Sequence, residues 1–165
     1  MVEQFINIGI SGSTQDKWQD PVRAYAHFFD YMHFIATTFM QPTSYPTRLH
    51  SGVSDKGGVD IWARDFAEKY HLLFKPHPPN FDLYGRPKAY YVRNKELVTS
   101  VTTLFAFLSP SESTDKKSRS GTMMTVREAI KQNKSVYVHT LKDEKFILVW
   151  KKLSFFQEWS EIIEK

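Results

Sequence analysis

The chain has 165 residues, 41% of them hydrophobic and 15% aromatic, which supplies one packed domain and excludes a disordered chain. It holds no cysteine, which rules out a disulfide framework, a thiolate nucleophile and a cysteine metal site, and fits a reducing compartment. A net charge of +4, with Lys and Arg scattered along the chain, suits a phosphate-bearing small ligand better than a nucleic-acid backbone.

The N-terminal MVEQFINIGI has neither a basic leader nor a long apolar run, and no segment approaches the ~18 apolar residues of a membrane span. A soluble, cytoplasmic protein with no membrane partner is expected. Gln4–Ile10 reads as a buried strand that ends in the turn SGST. Asp20-Pro21 supplies an N-cap and a first helical residue. From there Tyr25, Phe28, Phe29, Met32, Ile35 and Phe39 recur at spacings of three and four. They give a helix with an aromatic face, destined for the core or for a dimer contact. Gln41–Pro46 is a loop, Thr47–Ser51 a second strand, and Val59–Tyr70 a helix that follows the glycine-rich GVSDKGG.

His71–Pro76 reads as a third strand. The proline- and aromatic-rich stretch His77–Tyr91 reads as a long loop, and long loops in compact domains tend to carry function. Arg93–Val101 is a short helix with Arg93 and Asn94 at its start. Thr102–Pro110 is a buried strand, Ser111–Arg119 a polar, mobile segment, and Thr122–Lys134 a helix with Met123, Val126 and Ile130 inward. Ser135–Thr140 and Lys145–Trp150 are strands, and Ser154–Lys165 is a terminal helix. Strands that alternate with helices, most of them unbroken apolar runs, predict an α/β fold with a mostly parallel sheet covered on both faces. Ligands of such sheets sit at the carboxyl ends of the strands, where strand order reverses. The turns that follow strands therefore hold the candidate site.

Three such turns are rich in glycine and hydroxyls. After the first strand come Gly9, Ser11 and Gly12; after the second come Ser51, Gly52, Gly57 and Gly58, with Asp60 in the first turn of the next helix. Bare amides at these places can hold an anion or form a plain tight turn, and Asp60 can be a dipole-compensating acid or a hydroxyl acceptor and catalytic carboxylate. The third turn, SRSGTMMT, sets Arg119, Ser120, Gly121 and Thr122 at a helix start behind a basic loop. A helix cap needs only the serine or threonine, so the added glycine and arginine favour an anion site. No Walker loop is present. Arg93 is a candidate phosphate clamp. The six histidines lack metal-ligand spacing, and neither a metal nor a cofactor is called for.

Taken in order, GISGST, SGVSDKGGVDIWA, RNKELV and SGT resemble the SLOG superfamily, which includes the DNA-processing Smf/DprA proteins, the YpsA- and YspA-like proteins and the LOG phosphoribohydrolases. The resemblance covers about residues 5–139. It implies a Rossmann-like three-layer sandwich in a single domain over 1–165, with a core of about 4–140 and a C-terminal strand and helix at 144–165. It implies a nucleotide or nucleotide-derived ligand lined by Gly9, Ser11, Gly12, Ser51, Gly52, Gly58, Asp60, Arg93, Asn94, Arg119, Ser120, Gly121 and Thr122, and a homodimer or higher homo-oligomer. The LOG enzymes carry P-G-G-x-G-T-x-x-E; here Thr125 stands where the glutamate would be, and the nearest acid is Glu128.

A binding protein that senses, sequesters or regulates through a nucleotide is therefore the first reading. A nucleoside 5′-monophosphate N-glycosidase is the second, with Asp60 and Glu128 as its carboxylates and Asp55 behind them. Single-stranded DNA binding is the third, and the modest charge argues against it.

Overall fold

A computed structural model describes residues 4–39 and 45–154. In chain order it contains β1 (Ile6–Gly12), a 3-10 turn (Gln15–Lys17), α1 (Pro21–Phe39), β2 (Thr47–Ser51), α2 (Val59–Lys69), β3 (Leu73–Pro76), α3 (Phe81–Tyr84), α4 (Lys88–Ser100), β4 (Thr103–Leu108), α5 (Gly121–Lys131), β5 (Ser135–Lys142) and β6 (Lys145–Lys152). One sheet of order β3-β2-β1-β4-β5-β6 joins all six strands. The first five run parallel, and β6 returns antiparallel along β5. The expected α/β, three-layer, Rossmann-like architecture is present.

The apolar runs form central strands because both their faces are covered. In β4, Phe105 and Phe107 enter the layer built with Phe28, Met32 and Ile35 of α1 and Trp62 and Phe66 of α2. Leu104, Ala106 and Leu108 point the other way, onto Leu97 and Val98 of α4 and Met123 and Val126 of α5. The aromatic face of α1 thus lies inside this chain's own core, leaving Val22 and Phe34 exposed. The start of α1 is as expected: the Arg23 amide donates to the Asp20 carboxylate at 3.1 Å, and Pro21 opens the helix where no N–H is required.

Two elements differ from the sequence reading. The His77–Tyr91 stretch is not a single loop. Asn80 caps α3 by accepting the Leu83 amide at 3.0 Å, and Gly85 ends it at φ 67°. Then α4 begins at Lys88, so Arg93 and Asn94 sit in its second turn rather than at its start. Pro87 made the segment look like loop, yet a proline just ahead of a helix removes only an amide that has no intrahelical acceptor. The terminal helix expected from Ser154 falls, from residue 155 onward, outside the described residues.

The chain builds β2 and β3 on one side of β1 and then crosses to build β4, β5 and β6 on the other. Strand order therefore reverses between β1 and β4, and the segments that leave their carboxyl ends diverge there to leave a crevice.

Candidate functional site

A cleft of about 470 Å³ opens at that reversal. Its walls are Ser11–Thr14 at the carboxyl end of β1, Ser54, Lys56 and Asp60 around the start of α2, Tyr90, Arg93 and Asn94 on α4, and Arg119–Thr122 at the start of α5. The three turns singled out in the sequence thus meet at one opening. Its size is that of a small-molecule site.

Asp60 and Arg93 form the floor. They are 7% and 7% exposed, and Nη1 of Arg93 lies 3.4 Å from Oδ2 of Asp60. The same Nη1 donates to the carbonyl of Gly52. Ser51 holds the helix start from below, its hydroxyl donating to the Asp60 carbonyl at 2.7 Å. Burial pushes the Asp60 carboxyl up to about 6, against the pull of Arg93 and of the Ser54 and Gly12 amides. Nε of Arg93 is buried with no hydrogen-bond partner among the described residues. An ionised pair so enclosed, with one donor unmet, is costly to a fold and typical of functional sites.

The two helix ends at the cleft differ. At α2 the Val59 amide turns inward and donates to the Ser13 carbonyl at 3.2 Å, while the Gly12 and Ser54 amides lie close enough to Asp60 to pull its carboxyl down. Gly12 and Gly58 allow this close approach. A Cβ on Gly12 would stand 2.4 Å from the Phe107 carbonyl oxygen, and one on Gly58, at φ 84°, 2.3 Å from the Ser13 carbonyl oxygen. The Ser13 amide and hydroxyl, bonded to Phe107 and Ser109, then stitch the ends of β1 and β4 together. Of residues 51–60, the amides of Val53, Lys56, Gly57 and Val59 are spent within the protein, and Ser51 and Ser54 support Asp60.

At α5 the amides stay open. Ser120 acts as N-cap, its hydroxyl accepting the Met123 amide at 3.2 Å. The amides of Gly121 and Thr122 have no acceptor among the described residues. A Cβ built on Gly121 meets nothing within 4 Å, so the fold itself does not require a glycine there. The polar segment before it is held by side chains. Arg127 donates to the carbonyls of Lys116 and Ser118, and the Trp150 indole donates to that of Thr114 at 3.0 Å. Lys17, Lys56 and Arg119 surround the opening. Helix dipole, free amides and cations together favour an anion at this end.

Several sequence candidates lie elsewhere. Gly9 packs under Leu97 and Leu104, away from the cleft, and Ser51, Gly52 and Gly58 support its floor without lining it. Glu128 sits seven residues past Gly121, ~10 Å along the axis of α5, where it accepts from Gln132 at 2.9 Å. It does not line the cleft, so the pairing of Asp60 with Glu128 is corrected. Asp55 accepts instead from Arg86 at 2.8 Å and from the Tyr90 hydroxyl at 2.9 Å. Sequence reading missed Lys17, Tyr90 and Tyr91; the tyrosines were hidden in an apparent loop, although their place one turn ahead of Arg93 is the signal that would have found them. His50 in β2 and His77 just after β3 stack on each other and are bonded at 2.9 Å, with His50 bonded to Asn7 at 2.8 Å.

No protein-family model, curated protein or solved structure matches this chain.

Proposed function

We propose that this cleft binds a nucleotide or nucleotide-derived small molecule, with a phosphate at the start of α5 and the remainder lying over the Asp60–Arg93 floor, and that the protein acts as a sensor, sequestering factor or regulator. The observation that carries the reading is the pair of unpartnered amides at Gly121 and Thr122, open to a cleft ringed by Lys17, Lys56 and Arg119. The order of the turns is the reason to regard the chain as SLOG-like. Arg93, already bound to Asp60 and Gly52, belongs to the floor in this reading rather than to the phosphate.

The test is thermal unfolding with a panel of nucleoside monophosphates and with inorganic phosphate as the minimal probe. A nucleotide present at 100 times its Kd adds ~2.7 kcal/mol to stability, and Gly121→Val, which fills the space at the amides, removes the gain. No shift with any member of the panel defeats the proposal.

One observation favours a second reading, N-glycosidic hydrolysis of such a nucleotide. The Asp60 carboxyl, buried on the floor and held near 6, can keep or release a proton close to neutral pH. Release of free base by the native protein, lost in Asp60→Asn while binding survives, would establish it. Val22 and Phe34, exposed on α1, keep a homodimer within the proposal, and light scattering reads it directly.

A further inference from the structure

The cleft has one wall that neither the floor nor the anion end explains. On α4, Tyr90 lines the opening, and its hydroxyl is tied to Asp55 and Arg86. The hydroxyl donates to Asp55 at 2.9 Å, and Arg86 donates both to that carboxylate, at 2.8 Å, and to the Tyr90 oxygen. Phe81 meets the ring edge-on, with centroids 5.3 Å apart and planes at 74°. Three contacts from three segments, two on the hydroxyl and one on the ring, thus fix an aromatic side chain at the mouth of a cleft, and an ion pair between Arg86 and Asp55 ties the two polar partners to each other.

The charge around this ring is also specific. Nζ of Lys56 stands 5.8 Å from its centroid and Cζ of Arg93 5.6 Å. Cations at this range are drawn to the negative face of the ring. They also favour an anionic or electron-rich group laid beside it, and a guanidinium plane stacks on flat rings as an aromatic does.

Resting on the nucleotide reading above, we infer that Tyr90 is the stacking wall for the planar ring of the ligand and is the residue by which the cleft prefers a nucleobase-bearing phosphate to a bare sugar phosphate. The phosphate lies at α5, the sugar over the floor, and the flat group against Tyr90. The Asp55–Arg86 clasp holds the ring in place before binding, so little side-chain freedom is lost when a ligand arrives. Such a wall tolerates different bases, since every base has a π-face; it discriminates flat from non-flat, not one base from another.

The experiment measures Kd for AMP, CMP and ribose 5-phosphate on the full chain and on Tyr90→Leu, Tyr90→Phe and Tyr84→Leu, the last an exposed tyrosine outside the cleft lining. The native protein is expected to bind both nucleotides at least ~10-fold more tightly than ribose 5-phosphate. Tyr90→Leu brings that ratio to within twofold; Tyr90→Phe, which keeps the ring and loses its clasp, keeps most of the ratio, and Tyr84→Leu keeps all of it. A ratio untouched by Tyr90→Leu, or lost in Tyr84→Leu instead, overturns the assignment while leaving the nucleotide reading intact. Failure of all three ligands to bind defeats both. Should Tyr90→Leu not fold, NMR of bound AMP decides on the native protein and Tyr90→Phe. Upfield-shifted H8 and H2 protons with cross-relaxation to the residue 90 ring support the wall, and its absence in both removes it.

Discussion

The guanidinium of Arg93 occupies the place that a side chain on Gly52 would take: a Cβ there would stand 1.7 Å from Nη1 and 2.8 Å from Oδ2 of Asp60. Residue 52 is thus bare so that an arginine on α4 can reach the carbonyl after β2. In Gly52→Ala the guanidinium must leave both Gly52 and Asp60. The expected cost is about 1–3 kcal/mol, read as a lower urea midpoint at unchanged m-value, together with a loss of nucleotide affinity. An unchanged midpoint would mean that the seat of Arg93 is not fixed by this contact.

Gly121 and Gly12 make a pair with opposite expectations. A methyl at Gly12 meets the Phe107 carbonyl and Val59, where α2 closes on the sheet, and main chain cannot give way as a side-chain end can. Gly12→Ala should fold poorly or not at all. A methyl at Gly121 meets open space in the first turn of a helix, so Gly121→Ala should keep or slightly raise the melting temperature, by the ~0.4–1 kcal/mol gained when glycine freedom is removed from the unfolded chain. If the anion sits at the α5 amides, that methyl weakens phosphate binding. Full affinity in Gly121→Ala moves the anion elsewhere.

The buried histidines set the acid limit of stability. Burial lowers His50 and His139 to about 4, and lowers His77 as well. Their unfolded value is near 6.5. Each therefore contributes stability that is whole above pH 6.5 and is lost as pH falls from there towards 4, because the unfolded chain takes up protons that the folded one refuses. Urea midpoints should decline across that window. His50→Gln should flatten part of the decline; an equal slope in the variant would show that other groups carry it.

Much of this was legible from the sequence, and the failures have definite causes. The second strand, Thr47–Ser51, stands where the pattern put it, although Leu49 is its one apolar residue, because a short stretch between two turn-rich segments leaves few other choices. The meeting of three glycine and hydroxyl turns followed from their place after strands of a parallel sheet. The direction of their amides did not: whether Gly12 and Ser54 face a ligand or the Asp60 carboxylate depends on how closely α2 approaches the sheet. Arg93 was misplaced because Pro87 mimics a loop, and the same error concealed Tyr90. Glu128 was drawn in by analogy with a catalytic glutamate, but the rise along α5 carries it too far down the helix.

Asp60 and Arg93 should show their coupling in a double-mutant cycle read at two pH values. The Asp60 carboxyl is raised to about 6 in the folded protein from 3.8 in the unfolded one, with burial outweighing the arginine. A raised carboxyl contributes stability that is whole below pH ~4 and is lost as pH climbs through 6. Removing the cation in Arg93→Met raises the carboxyl further, so above pH 7 the variant must bury an uncompensated charge or take up a proton to fold. Its expected loss is about 3–5 kcal/mol at pH 8 and clearly less at pH 5, where the carboxyl is already protonated. In Asp60→Asn/Arg93→Met neither charge remains. That pair should be more stable at pH 8 than the sum of the single losses allows, and its pH slope between 4 and 6 should be flatter than that of the native protein. Additive losses, equal at pH 5 and pH 8, would mean that the carboxyl and the guanidinium do not act on each other, and the floor of the cleft would then be two separate groups.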